Sequence, residues 1–165
     1  MAQDYSFDIT CNFNKQEFQN AIDQTRREIS TRFDFKGVFT EIEIFGNEKL
    51  ILQTESEHKL NALIDIIESK LVKRNLPLSI LDKTKSPEAS SGGSVRKEIK
   101  LVNSLDSEQT KEIAKVIRQE FPKAKPIIQG DSIRVTSRSK DELQAIMHQI
   151  KEKKSDLPLD FINFR

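Results

Sequence analysis

An internal repeat is the feature that most constrains the fold of this chain. A shift of 83 residues places Ser56 and Leu60 on Ser139 and Leu143, so two stretches share one helical spacing of apolar residues. Each half of the chain then has the same predicted order of strand, helix, strand, strand, helix and strand. This order is typical of the ferredoxin-like split βαβ fold, in which two helices cover one face of an antiparallel sheet. The sequence therefore predicts an α+β protein of tandem ferredoxin-like (βαββαβ) domains.

Local signals place the elements within each half. Residues 6–13 alternate between apolar and polar side chains, which is typical of a half-buried strand. Asn14 and Ser56 are predicted helix N-caps, because their side chains can accept from amides of the first helical turn. Residues 46–47 and 130–131 have the turn chemistry of hairpins.

One segment is predicted to separate the two domains. Residues 83–95 contain Pro87, Gly92 and Gly93 among several serines, a composition typical of a flexible linker. A long loop inside a compact domain is uncommon, so we expect the segment to mark a boundary. The predicted domains are then residues 14–82 and residues 105–165.

Composition limits the classes of function. Lys and Arg number 27 against 26 Asp and Glu, so the whole chain is not a basic coat for nucleic acid. Cys11 is the single cysteine, and the two histidines offer little for a zinc site or for acid–base catalysis. The sequence has no phosphate-loop, dinucleotide-binding, nucleophile-elbow or zinc-protease motif. We therefore expect a protein that is not an enzyme and that uses no metal or other cofactor.

The sequence also predicts the cellular location. No segment approaches the roughly 20 apolar residues of a membrane-spanning helix. The first residues lack the basic and apolar regions of a signal peptide. We expect a cytoplasmic protein without a membrane partner.

The densest candidate for a nucleotide contact follows the first predicted helix. Arginine and lysine side chains bind phosphate, and phenylalanine rings can stack on bases. In the alternative interpretation the two phenylalanines fill the core and Arg32 forms a surface pair with Asp34. The candidate residues are Arg27, Arg32, Phe33, Phe35 and Lys36.

Two further candidates come from the second half of the chain. Arg134 lies on the polar face of a predicted strand, which could contact a phosphate or a base edge but lacks the aromatic pair of RNA-recognition motifs. Residues 96–165 hold 15 basic and 11 acidic side chains, and Lys111 and Lys115 share one helix face there, with Lys100 nearby in sequence. The alternatives are a solvated or interdomain sheet face and an ordinary solvated helix face.

Five sequence stretches together resemble the YajQ family of bacterial proteins along nearly the whole chain. The resemblance implies tandem ferredoxin-like domains with swapped first strands, which places strand 5–13 in the second domain and strand 97–104 in the first. It also implies nucleotide binding, and some family members are described as binders of cyclic-di-GMP or RNA. The matching stretches are residues 6–9, 27–36, 128–136, 140–144 and 161–165.

We therefore expect a non-enzymatic nucleotide-binding protein whose ligand is a cyclic dinucleotide, a purine nucleotide or RNA, with a possible regulatory role and a possible regulatory protein partner. The alternative is a protein-interaction adaptor without a physiological nucleotide ligand. Phe39, Phe45 and Ile51 favour the adaptor if they lie exposed together on one face of the first sheet.

Overall fold

The computed structural model describes residues 3–165 and has an α+β architecture. None of the helices in this part of the chain is long and apolar enough to cross a membrane. Its helices are α1 (Lys15–Thr31), α2 (Glu57–Lys73), α3 (Ser107–Glu120) and α4 (Lys140–Lys153). Its strands are β1 (Tyr5–Cys11), β2 (Thr40–Phe45), β3 (Lys49–Thr54), β4 (Leu81–Asp82), β5 (Glu88–Ala89), β6 (Val95–Leu101), β7 (Lys125–Gln129), β8 (Ser132–Ser137) and β9 (Leu159–Ile162).

All four helices begin at side-chain caps. The side chains of Asn14, Ser56 and Ser139 each accept a hydrogen bond from the amide three residues later, at 3.0, 3.2 and 3.2 Å. At α3, Asp106 accepts from the amide of Gln109, whose side chain in turn accepts from the amide of Asp106. The predicted caps of α1 and α2 are therefore confirmed, and Asp106 and Ser139 are the caps of α3 and α4.

Contacts divide the chain into two compact units. We call Phe13–Val102 the first unit, and Asn103–Arg165 together with the described residues up to Asn12 the second unit. The chain therefore leaves the second unit after β1 and returns to it after β6.

The first unit contains an antiparallel sheet with the strand order β2-β3-β6-β4, and β5 also pairs with β6. Strand β6 pairs with β3 from Val95 to Lys100 and with β4 at Lys100 and Leu101. Helices α1 and α2 contact each other, and α2 contacts β3. Their apolar faces bury a core that includes Phe18, Ala21, Ile22, Leu50, Leu52, Leu60, Leu63, Ile67, Leu71 and Ile99.

The second unit contains an antiparallel sheet with the strand order β7-β8-β1-β9. Strand β1 is central, because it pairs with β8 on one side and with β9 on the other. The centre of one face of the sheet, on β1 and β8, is fully buried, and helices α3 and α4 contact the strands of the sheet. The fully buried side chains include Phe7, Ile9, Ile113, Ile117, Ile133, Val135, Ile146 and Ile150.

Residues 83–95 lie inside the first unit rather than between the two units. The ammonium group of Lys97 donates to the carbonyl oxygens of Lys83 at 3.2 Å and Lys85 at 2.8 Å. The side-chain amide of Gln53 donates to the hydroxyl groups of Ser90 and Ser94. These hydrogen bonds and the β5–β6 pairing hold the segment against the sheet, although its composition is that of a linker.

Candidate functional site

Arg32 is held by two carboxylates at the end of α1. Its guanidinium group donates to Asp34 at 2.8 Å and to Glu28 at 3.2 Å. The hydrogen bond to Asp34, followed by the smaller effect of that to Glu28, raises the pKa of Arg32 above its usual value. The alternative interpretation of Arg32 and Asp34 as a surface pair is therefore confirmed.

The two phenylalanines that follow Arg32 point in opposite directions. Phe35 is 4% exposed within the first unit's core, and the ammonium group of Lys59 lies 5.3 Å from the centre of its ring. Phe33 is 91% exposed, so the alternative interpretation, in which both phenylalanines fill the core, is wrong for this ring. The prediction that Phe35 stacks on a base is wrong, because its ring fills the core and offers no free face.

The remaining cations predicted in the first unit are exposed. Arg27 lies on α1 and Lys36 follows the short helical turn at Phe33–Phe35. Lys100 lies on β6 opposite Asp82 of β4. The pKa of Asp82 is lowered mainly by hydrogen bonds from Thr84 and in smaller part by the charge of Lys100.

In the second unit, Arg134 of β8 forms a two-point contact with Asp8 of β1. Its Nε and Nη2 atoms donate to the two carboxylate oxygens at 2.9 and 3.3 Å. The side-chain amide of Asn163 donates to the same carboxylate at 2.8 Å. Asp8 is only 6% exposed, so the pair is well shielded on the carboxylate side. The sequence predicted the position of Arg134 on the polar face, but not this partner.

The hydrogen bond from Arg134, followed by that from Asn163, lowers the pKa of Asp8 below its ordinary value of 3.8, against the opposing effect of burial. A carboxyl whose pKa is lowered in the folded state stabilises the fold above its unfolded pKa. This stabilisation is lost as the pH falls through the lowered value. Acid should therefore begin to remove the contribution of Asp8 near its unfolded pKa of about 4 and complete the loss below the lowered pKa.

Arg134→Met should destabilise the protein more at neutral pH than near pH 3. Without the guanidinium group, burial favours the protonated form of Asp8 and so raises the pKa of this carboxyl in the variant. The variant therefore has a buried carboxylate without a cationic partner at neutral pH, but not at a pH below that raised pKa. Urea unfolding across this pH range measures the difference. The exposed residue Lys111 on α3 gives the control Lys111→Met, which we expect to show no such pH-dependent loss. An equal loss at both pH values would contradict the prediction.

The predicted lysines of α3 are solvent-facing. Lys111 and Lys115 are both exposed, and among residues 3–165 neither has an ion-pair partner. Both ammonium groups are therefore accessible to an anionic ligand.

A cavity of about 530 Å³ lies within the second unit, where β8 leads into α4. Three cationic side chains line it: Lys123 and Lys125, where α3 leads into β7, and Arg138 at the end of β8. The other lining residues are Asp4, Thr136, Ser137, Ser139 and Glu142.

The three cationic side chains of this cavity make few hydrogen bonds or ion pairs within the described residues. Within the described chain, neither Lys123 nor Lys125 makes a side-chain hydrogen bond or ion pair. Arg138 lies 3.9 Å from Asp4, and both side chains are mostly exposed, so their attraction is weak. Glu142 accepts from the hydroxyl of Ser137, another lining residue, at 2.6 Å and, in the part of the chain that the structure describes, forms no ion pair with the three cations. The cavity therefore sets three cations against the two carboxylates of Asp4 and Glu142, and this excess of positive charge favours an anionic ligand.

The sequence prediction did not identify this cavity. The lysines at 123 and 125 follow a helix, whereas Arg138 precedes one, and no sequence spacing indicates that they line one space. The sequence signal that could have pointed to these three residues was their positive charge in the more basic half of the chain. The convergence depends on the antiparallel pairing of β7 with β8, which places Lys125 opposite Thr136.

The fold and the cavity define a class of protein with two antiparallel sheets, each with a helix pair, and with a cavity in the second unit that three cationic side chains line. The chain belongs to the YajQ family, because the family model described as "Nucleotide-binding protein YajQ-like" matches residues 5–165. This confirms the resemblance seen in the sequence.

Curated relatives match along the full chain. A protein of Trichodesmium erythraeum is 44% identical over 165 residues, and one of Chloroflexus aggregans is 44% identical over 167, each with complete coverage of both chains. A protein of Leptospira biflexa is 42% identical over 165 residues, covering 100% of this chain and 99% of its own. Each of the three is named "Nucleotide-binding protein".

Proposed function

We propose that this protein binds a nucleotide reversibly through its phosphate groups in the cavity of the second unit. The cavity of about 530 Å³ carries the proposal, because it is of the size that holds small ligands and is lined by Lys123, Lys125 and Arg138. Ammonium and guanidinium groups bind phosphate through charge-assisted hydrogen bonds. The names of the full-length relatives agree with this ligand class.

The proposed role is binding without chemical conversion, in the cytoplasm, with a regulatory consequence. The ligand is a cyclic dinucleotide, a purine nucleotide or RNA. Calorimetric titration with each class at low salt distinguishes them, and binding should weaken as salt rises because phosphate contacts are electrostatic. Absence of saturable binding to all of them would refute the function.

The double variant Lys123→Ser and Lys125→Ser should weaken nucleotide binding about a hundredfold, roughly tenfold for each charge-assisted contact. Titration calorimetry measures the loss. The matched control is Lys111→Ser with Lys115→Ser, which removes the same charge from α3 of the same unit. If the control weakens binding as much as the cavity variant, the phosphate site lies on α3 or the effect is only of net charge.

The cluster around Arg32 remains a second proposed contact, for the first unit. Phe33 offers an open ring, and Arg27 and Lys36 are exposed beside it in sequence. Arg32→Ala should weaken binding only if this cluster, rather than the cavity, receives the ligand. Lys100, which the sequence grouped with Lys111 and Lys115, remains a separate proposed phosphate contact.

A protein-interaction adaptor is the alternative function, favoured by one observation on the first unit's sheet. Phe45 and Ile51 line a small depression of about 120 Å³ together with Glu41, Glu43 and Arg96. Phe39 and Phe45 are about half exposed, whereas Ile51 is buried, so the apolar area is smaller than the alternating sequence predicts. Recovery of a partner that survives nuclease and high salt, and that Phe45→Ser abolishes, would support this function.

We also propose that the two units are ferredoxin-like domains that exchanged their first strands. Two pairings support this: β1 with β8 and β9, and β6 with β3 and β4. In each unit the borrowed strand takes the place that the first strand of a βαββαβ unit has in its own sheet.

A further inference from the structure

The face of the second unit's sheet opposite its buried face carries a row of four side chains, one from each strand. Ile127 of β7 lies opposite Arg134 of β8, Arg134 opposite Asp8 of β1, and Asp8 opposite Ile162 of β9. Residues directly opposite one another in a sheet point to the same side. An ion pair is therefore flanked by two isoleucines on one surface.

This row is accessible at its apolar and guanidinium positions. Ile127 is 52% exposed, Ile162 is 39% exposed and the Arg134 side chain is 34% exposed. Asp8 holds the guanidinium group by two donors of one edge, so the orientation of the group is fixed. The flat faces of a guanidinium group stack on planar heterocycles.

The row is continuous with the cationic cavity. Thr136 lines the cavity and lies two residues beyond Arg134 on β8, which places it on the same side of the sheet about 7 Å away. Lys125, another lining residue, lies directly opposite Thr136. A 5′-nucleotide spans a comparable distance between its phosphate and its base.

Charge sets the orientation of a ligand that spans the row of side chains and the cationic cavity. Asp8 neutralises Arg134, so the row attracts no phosphate but suits an uncharged planar ring with apolar edges. Lys123 and Lys125 have no such counter-ion within the described residues and suit the phosphate.

We infer that Ile127, Arg134 and Ile162 form the base-binding platform for a single nucleotide whose phosphate occupies the cavity. This inference rests on the proposed function and adds the subsite that recognises the base. It replaces the aromatic platform of RNA-recognition motifs, which is missing from this face of β1 and β8.

The test compares GMP and AMP with ribose 5-phosphate, which has the phosphate and sugar but no base. We expect the mononucleotides to bind about tenfold more tightly, since an aromatic platform contributes roughly that factor per stacked base and the guanidinium face of Arg134 takes the place of the aromatic ring here. Ile127→Ser should remove about this factor for GMP and AMP and leave ribose 5-phosphate binding unchanged. Ile128→Ser is the matched control, because Ile128 lies opposite the buried Ile133 and so points to the other face.

Methyl NMR gives a readout that a change in stability does not imitate. The Ile127 and Ile162 methyl signals should shift upfield with GMP, as expected beneath an aromatic ring, but not with ribose 5-phosphate. Equal affinity for GMP and ribose 5-phosphate with unmoved methyl signals would overturn the platform and leave the phosphate cavity standing. Phosphate binding that survives the Lys123 and Lys125 substitutions would overturn the cavity itself, and binding to oligonucleotides alone would overturn the platform as a mononucleotide site.

Discussion

Leu63→Ala should lower the free energy of unfolding of the first unit by about 2–5 kcal/mol. Leu63 lies on α2, is fully buried, and belongs to the core that the two helices and the sheet of this unit share. The substitution removes buried apolar atoms and leaves a cavity that the close-packed surroundings fill only in part. Urea unfolding monitored by circular dichroism measures the loss.

Val72→Ala is the matched control for this prediction, because Val72 lies on the same helix and is mostly exposed. Its effect should stay within about 0.5 kcal/mol. Hydrogen exchange of amides in β3 and α2 should accelerate in Leu63→Ala, since opening of the first unit then costs less free energy. A loss of protection confined to β8 and β1 would contradict the assignment of Leu63 to this core.

The repeat allowed such core positions to be predicted from the sequence. Leu63 falls on Ile146 under the 83-residue shift, and both side chains are fully buried in their own units. The N-caps Ser56 and Ser139 follow the same shift, and both accept the predicted first-turn hydrogen bond. These features depend on neighbours three or four residues apart, so local spacing is enough to reveal them.

Features that depend on residues far apart in the sequence could not be predicted from the local spacing of residue types. Residues 83–95 have the composition of a linker. They are held because Lys97, in the separate strand β6, donates from its ammonium group to the backbone carbonyl oxygens of Lys83 and Lys85. Asp8 and Arg134 are 126 residues apart in sequence, so their pairing depends on the β1–β8 register. The cationic cavity depends in the same way on strand pairing within the second unit.

The second large effect is predicted for Phe7→Ala, which should destabilise the second unit by about 3–5 kcal/mol. Phe7 is fully buried on the central strand β1. Its ring lies 5.6 Å from Phe161 in an edge-on arrangement and 6.1 Å from Phe164 in a stacked one, measured between ring centres. The substitution removes these ring contacts together with the buried area, and chemical denaturation measures the result.

Phe33→Ala removes the same number of atoms from a ring that is 91% exposed, so its effect should stay within about 0.5 kcal/mol. The two variants therefore separate the burial of phenylalanine from its mere presence. An effect of Phe33→Ala as large as that of Phe7→Ala would contradict the burial that the fold assigns to these residues.

The location of the Phe7→Ala effect also tests the proposed strand exchange. Phe7 precedes α1 in sequence, so a domain built from contiguous chain would pass the damage to α1, β2 and β3. The pairing of β1 with β8 and β9 predicts instead that amide protection falls in β8 and β9, while β3 keeps its protection. Faster hydrogen exchange of the β3 amides, with unchanged hydrogen exchange in β8, would refute the proposed strand exchange. Strand β1 would then belong to the sheet of the first unit.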